Sequence, residues 1–329
     1  MRDPAFWWRD GSLAATLLAP FAAGYGAIAA KRMDQAGTRV GMPVICVGNF
    51  TLGGAGKTPT VLMLAKMLQE AGETPCCLSR GYGGSEAGPK RVDAQTDTAA
   101  QVGDEPLLLA RTAPTIVSHD RVAGAKAATN ASVIVMDDGL QNGALAKDFT
   151  LAVVDGRRGI GNGRVFPAGP LRAPLEAQMA HTDALLVIGD NLNAKNIMAA
   201  ASGRPVFHGR LAPDTAALTA LKSRNVFAFA GIGDPEKFFD TLTQAGIVVT
   251  QRKAFADHHR FTGEEAAELE MQAERAGLTL VTTEKDHARM SGDPALAALA
   301  TRAQVLPVTL VVDEAEKLRT LVLEKIRRN

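Results

Sequence analysis

Short, unbroken apolar runs alternate along this chain with stretches of helical periodicity, and turn residues punctuate the junctions. Val44–Val47, Thr74–Ser79, Thr115–Val117, Ser132–Met136, Thr150–Val154 and Ala184–Ile188 read as strands. Pro59–Leu68, Pro106–Arg111 and Val122–Thr129 read as helices between them. Strands without polar alternation are buried on both faces, which implies a parallel sheet covered by helices on each side. From Asn191 to Val206 the chain turns small and polar, through Ser202-Gly203-Arg204-Pro205, and a domain boundary is expected there. A second α/β pattern follows, with strands Asn225–Ala230, Ile247–Val249, Leu278–Thr282 and Gln304–Val312 and helices Glu236–Ala245, Gly263–Ala276 and Glu314–Arg328. A chain of 329 residues is long for one core. The expected organisation is an apolar N-terminal region over 1–30, a first α/β domain over 31–204, a smaller one over 205–312 and a terminal helix over 313–329.

The first strand carries the most specific signal. Val44-Ile45-Cys46-Val47-Gly48-Asn49-Phe50-Thr51-Leu52-Gly53-Gly54-Ala55-Gly56-Lys57-Thr58-Pro59 is a strand, a glycine-rich turn and a helix start, the context a P-loop requires. Small residues let backbone N–H groups curl around phosphate oxygens, and the helix N-terminus favours the negative charge. The candidate nucleotide contacts are Thr51, Leu52, Gly53, Gly54, Ala55, Gly56, Lys57 and Thr58. Lys57 would reach the β- and γ-phosphates and the Thr58 hydroxyl would ligate Mg²⁺. Thr51 stands where the strict pattern has glycine. The apolar run Val133–Met136 ends in Asp137-Asp138-Gly139, and two adjacent carboxylates at a strand end call for a cation, so both are candidate metal ligands.

Further along, Gly103-Asp104-Glu105-Pro106 opens a helix, with Asp104 either its N-cap or a base for an acceptor hydroxyl. Asp257-His258-His259 precedes another helix, and either histidine offers a partner for a carboxylate across a cleft, or a plain polar loop. The stretch Arg157–Arg172 is rich in Gly, Pro and Arg and suits anion binding or a solvated connection. Gly231-Ile232-Gly233 lacks the third glycine of a dinucleotide fingerprint and reads as a structural turn.

Composition narrows the partners. The net charge of +1 and the 5% aromatic content give no electrostatic or stacking footprint for nucleic acid. Cys46, Cys76 and Cys77 have no metal spacing and read as core residues in a reducing compartment. Leu13–Ala30 is uncharged, followed by Lys31 and Arg32, but is alanine-rich and interrupted by Pro20, Gly24 and Gly26. Asp3 and Asp10 spoil a signal-peptide n-region, and the run is weak for a transmembrane span. Peripheral membrane contact, with Phe6, Trp7 and Trp8 beside Arg2 and Arg9 at the headgroups, competes with simple packing against the protein.

Taken in order, these segments resemble the tetraacyldisaccharide 4′-kinases. The resemblance runs through residues 47–59, Ser-Arg-Gly-Tyr-Gly-Gly at 79–84, Gly-Asp-Glu-Pro at 103–106 and Asp-Asp-Gly-Leu-Gln at 137–141. It continues in Gly-Asn-Gly at 161–163, Pro-Ala-Gly-Pro-Leu-Arg at 167–172, Asp-His-His at 257–259 and Thr-Thr-Glu-Lys-Asp at 282–286. It implies a P-loop NTPase-type parallel sheet domain and a smaller α/β/α domain joined by a short β linker. It implies, too, ATP- and Mg²⁺-dependent phosphorylation of a lipid A disaccharide precursor at its 4′-hydroxyl, giving lipid IVA on the cytoplasmic face of the bacterial inner membrane. Carried over by motif, Asp104 is the base with His258 or His259 as partner, and Lys57 serves the phosphates. Arg80, Asn162 and Arg172, which lie in these motifs, are the candidate substrate contacts. Two positions depart from the family pattern. Asn142 replaces a histidine, and Ala173 replaces a glutamate for which Glu176 is the candidate substitute. The alternative reading is a membrane-associated P-loop switch ATPase or GTPase.

Overall fold

The computed structural model describes residues 3–190 and 192–327. Arg2 and the ends of the expected terminal segments lie outside the described residues. The strands are β1 Val44–Asn49, β2 Pro75–Ser79, β3 Lys90–Arg91, β4 Thr115–Val117, β5 Val133–Asp137, β6 Phe149–Asp155 and β7 Ala184–Ile188. They continue as β8 Val206–Pro213, β9 Asn225–Ala230, β10 Val248–Ala254, β11 Thr279–Thr283, β12 Gln304–Leu306 and β13 Val308–Val312. Nine form one sheet in the order β13-β8-β7-β6-β1-β5-β2-β4-β3, and four form a second in the order β10-β9-β11-β12. The large sheet is parallel from β8 to β4, with antiparallel pairings only at its β13 and β3 edges. The small sheet is parallel throughout.

Unbroken apolar strands make sense here because both faces are covered. On one face Ile45, Val47, Val135, Leu151 and Leu186 pack under the helices Lys57–Glu70 and Ala315–Arg327. On the other, Val44, Cys46, Ile134 and Met136 form one cluster and Ala152, Val154, Leu185 and Val187 another. Cys46, Cys76 and Cys77 are buried free thiols, and burial pushes Cys46 and Cys76 up to about 11.

Several expectations need correction at element level. The stretch Gln304–Val312 is not one strand, because Pro307 divides it. Proline brings no N–H to a ladder, and the chain changes sheets there, β12 joining the small sheet and β13 the large one. Residues 206–213, placed at the start of the smaller domain, form β8 of the large sheet instead. The terminal helix is part of the large core through Leu318, Val322 and Ile326. The antiparallel pair β8–β13 is therefore the short β linker through which the chain leaves and re-enters the larger domain.

At the N-terminus, the helices Leu13–Leu17 and Ala19–Met33 turn Ala15, Ala22, Gly26 and Met33 inward. A Cβ on Gly26 would already lie 3.4 Å from the Pro174 ring, so a small residue sets the close approach. The opposite face exposes Leu13 (82%), Leu17 (77%), Phe21 (70%), Tyr25 and Ile28. Trp7 departs from the expected headgroup role. It is buried, and its indole N–H donates to the Pro167 carbonyl at 3.0 Å. No helix among the described residues is long and apolar enough to cross a membrane.

Candidate active site

The glycine-rich turn after β1 ends in Gly56, whose φ of 94° and whose missing Cβ, 2.7 Å from where Ile188 Cδ1 sits, both require glycine. The helix that starts at Lys57 has no side-chain N-cap, so its first N–H groups face the turn as an anion site. Lys57 Nζ lies 3.1 Å from Asn49 Oδ1 and 3.6 Å from Asp138 Oδ1. Thr58 Oγ1 donates to Glu105 at 3.2 Å. Thr51 and Leu52 tie the turn to a second loop. The Thr51 carbonyl accepts from Asn49 Nδ2 and Arg172 Nε, and the Leu52 N–H donates to Pro170. Ala55 packs into the core.

β5 pairs beside β1, which brings Asp137 opposite Val47. Asp137 is buried, and neither carboxylate oxygen has a hydrogen-bond partner among the described residues. Burial, then the charges of Glu105 and Asp138, push its carboxyl up to about 7. Asp138 behaves oppositely. Burial would raise it, but Lys57 and the 2.6 Å hydrogen bond from Arg172 Nη1 hold it well below the usual range. Its φ of 53° is a left-handed conformation that aims the side chain back toward Lys57.

Beside this group stand Asp104 of the large domain and His258 of the small one. Asp104 is the first residue of the helix Asp104–Ala110 and is 3% exposed. Its Oδ1 accepts from the Glu105 N–H at 2.9 Å, and its Oδ2 meets Arg289 Nε at 2.7 Å and His258 Nδ1 at 3.5 Å. Burial raises this carboxyl, yet the His258 hydrogen bond and the Arg289 and Lys285 charges overrule it and hold it far below the ordinary value. His258 is raised in turn, chiefly by its hydrogen bond to Asp104. His258 also has a positive φ, 54°, and its ring meets the Tyr82 ring at 5.0 Å.

Not every expected residue joins this group. His259 faces away, bonded to Glu265 at 2.8 Å and stacked on Phe255, so the pairing with Asp104 belongs to His258. Asn162 is committed to backbone. Its amide donates to Phe6 and Ala168 and its oxygen accepts from Arg164, knotting the loop to the N-terminal segment. Arg80 is exposed after β2 and outside the cleft lining. Arg172 does line the cleft, on the Asp138 side. Ala173 is fully buried, Glu176 is exposed outside the lining, and Asn142 closes a turn with Ala144, so Glu176 does not bring a carboxylate into the cleft.

The site also contains residues that carried no role in the sequence reading. Asn49 holds Lys57, Glu105 links Thr58 to Lys285 at 2.6 Å, and Arg289 reaches Asp104. Asn49 lies eight positions from Lys57, but the partners of Glu105 and Arg289 lie up to 185 positions away, so no local spacing exposes those two. A run of Thr-Glu-Lys-Asp directly after an apolar strand was the available signal.

A cleft of about 620 Å³ between the two sheets is lined by Lys57, Thr58, Asp138, Arg172, His258 and Lys285 among others, and its size suits a nucleotide. A smaller hollow of about 290 Å³, near Lys147 and Asp183, contains none of these groups. No cluster of three or more metal-type side chains stands ready among the described residues. The orphaned Asp137 carboxylate, next to Asp138 and within the field of Glu105 and Lys57, nonetheless fits a divalent cation that brings most of its own oxygen ligands, as Mg²⁺ does.

Comparison with known proteins agrees with this geometry. The family described as tetraacyldisaccharide-1-P 4′-kinase matches residues 14–327. The tetraacyldisaccharide 4′-kinase of Rhodopseudomonas palustris (strain BisB5) is 55% identical, over 100% of this chain and 98% of its own length. That of Methylobacterium sp. (strain 4-46) is 56% identical over 99% and 98%. Among solved structures, LpxK from Aquifex aeolicus in complex with ATP superposes with a TM-score of 0.76 at 27% identity, covering 95% of this chain and 100% of its own. The likeness thus extends over nearly the whole sequence and the whole fold, and the chain belongs to the tetraacyldisaccharide 4′-kinase family.

Proposed function

We propose that this protein transfers the γ-phosphoryl group of ATP to the 4′-hydroxyl of a tetraacylated glucosamine disaccharide 1-phosphate, giving lipid IVA. The observation that carries the reading is the meeting, in one cleft, of the Lys57–Thr58 phosphate turn and His258, with Asp104 paired to His258 just behind the lining. In a loose phosphoryl-transfer transition state, positioning and charge stabilisation supply most of the catalysis. Lys57 and the uncapped helix N-terminus hold the phosphates, and Arg172 fixes Asp138 beside them. Thr58, Asp137 and Asp138 would hold Mg²⁺, which when bound neutralises charge on the phosphates. Asp104 and His258 act on the acceptor as one unit. Asp104 supplies the ionised carboxylate, and His258 forms the cleft wall in front of it. Contact between the domains excludes water from the transfer.

The acyl chains call for an apolar surface, and Leu13, Leu17, Phe21, Tyr25 and Ile28 provide one beside Lys31 and Arg32. This supports peripheral attachment to the inner face of the bacterial inner membrane. The test is γ-labelled ATP with the lipid acceptor. Label entering lipid is expected, and Asp104→Ala should lower turnover at least ~10²-fold with ATP binding retained. Label released only as free phosphate would favour a switch ATPase and defeat the proposal.

A further inference from the structure

The helix Glu284–Met290 of the small domain brings two cations, one turn apart, onto two adjacent carboxylates of the large domain. Lys285 meets Glu105 and Arg289 meets Asp104. The Arg289 side is built to an unusual degree. Asp286, 0% exposed, accepts from the Gly231 N–H at 3.0 Å and from Arg289 Nη1 at 2.8 Å, while Thr283 donates to its other oxygen at 2.6 Å. Nη1 also donates to the Gly231 carbonyl at 2.6 Å. The guanidinium is therefore oriented wholly by its own domain. From its remaining edge Nε donates to Asp104 Oδ2 at 2.7 Å, and Nη2 lies 2.6 Å from the same oxygen as an ion pair without a hydrogen bond, with both side chains buried.

We propose that Arg289 is a positioning residue for phosphoryl transfer, a fork carried by the small domain that sets the Asp104 carboxylate when the domains meet. The proposal rests on the reading of Asp104 as the acceptor-side carboxylate. With Oδ2 held by Arg289 and His258, the carboxylate plane is fixed, and Oδ1 accepts only the N–H of the next residue. Without the fork, Oδ2 keeps only the longer His258 contact, and Asp104 reverts to the ordinary freedom of a helix-start aspartate. A lysine cannot substitute, because one ammonium cannot hold Gly231, Asp286 and Asp104 in a single plane. The Arg289 guanidinium is buried and its contacts are Gly231, Asp286 and Asp104, so it acts through the carboxylate.

The test uses the full-length enzyme with ATP and lipid acceptor, comparing Arg289→Lys, Arg289→Gln and Asp104→Asn, singly and combined. A carboxylate misplaced by about 1 Å costs about 10²-fold. Arg289→Lys should therefore lose ~10–100-fold in kcat with KM for ATP within about twofold. The acid limb of its kcat profile should move up by about one pH unit as the carboxyl exchanges the guanidinium for a single, weaker ammonium contact. Asp104→Asn combined with Arg289→Lys should be no slower than Asp104→Asn alone. Wild-type kcat and pH profile in Arg289→Lys would overturn the proposal, as would losses that multiply in the double variant. Loss of the ATP-induced rise in melting temperature in both Arg289 variants would also overturn it, since the residue would then be structural. Wild-type enzyme that labels no lipid would instead defeat the functional reading itself.

Discussion

Asp104 and His258 respond to pH in opposite senses, and the signs define a window. His258 is raised above its usual 6.5, so its share of the pairing is complete below that value and fades as pH rises through the raised one. Asp104 is depressed below its usual 3.8, so its share is complete above that value and fades only as pH falls toward the depressed one. Both hold between these ordinary values. Replacing His258 with Asn should lower the apparent Tm by ~2 °C near pH 6, and the gap should close by about pH 9. Thermal scans across that range check it, and a gap that ignores pH would show that no charged pair exists. The sequence displayed both histidines but offered no means to choose. The choice lies in the left-handed backbone at His258, which sends neighbouring side chains to opposite sides, one to Asp104 and one to Glu265. Asp137 and Asp138 were legible as a pair for the opposite reason, since their place at a strand end is local.

At the scale of elements, unbroken apolar strands were readable wherever both faces are buried. β8 was not, because His208, Gly209 and Arg210 interrupt its apolar residues. The change of sheet at Pro307 was equally hidden, since a proline marks a break without saying which sheet each half joins. The N-terminal helices show the value of exposure over composition. The alanine-rich run is a weak transmembrane span by composition, and the structure sorts its large apolar residues onto one outward face, as peripheral contact requires. Leu17→Gln combined with Phe21→Gln should weaken sedimentation with anionic vesicles at least ~10-fold, because each Å² of apolar surface that no longer enters the bilayer forfeits ~25 cal/mol. Both residues face outward, so the variant should melt like the wild type. Unchanged sedimentation would place the membrane-binding surface elsewhere.

Across the whole molecule, the two sheets face each other through polar contacts. Arg157 pairs with Asp234, Lys237 with Asp155, Arg260 with the Gly83 carbonyl, and Lys285 and Arg289 with Glu105 and Asp104. Such an interface permits relative motion of the domains. A nucleotide held in the cleft stabilises the protein by mass action, by ~2.7 kcal/mol at about a hundredfold excess over Kd. ATP should thus raise the apparent Tm by roughly 4 °C, and Lys57→Met should remove most of that rise. Calorimetry with and without ATP measures both, and a full shift in the variant would exclude Lys57 from phosphate binding. None of these cross-domain pairs was legible beforehand, because each joins segments far apart in the chain. The β8–β13 ladder carries a last consequence. Pro213 and Val308 face one another in its register. A two-residue hairpin would close the same ladder, so residues 214–307 occupy the position of a turn. They form a cassette, bounded by a pair of neighbouring residues, whose removal would leave the strand order of the nucleotide-binding sheet intact while taking both His258 and Arg289 with it.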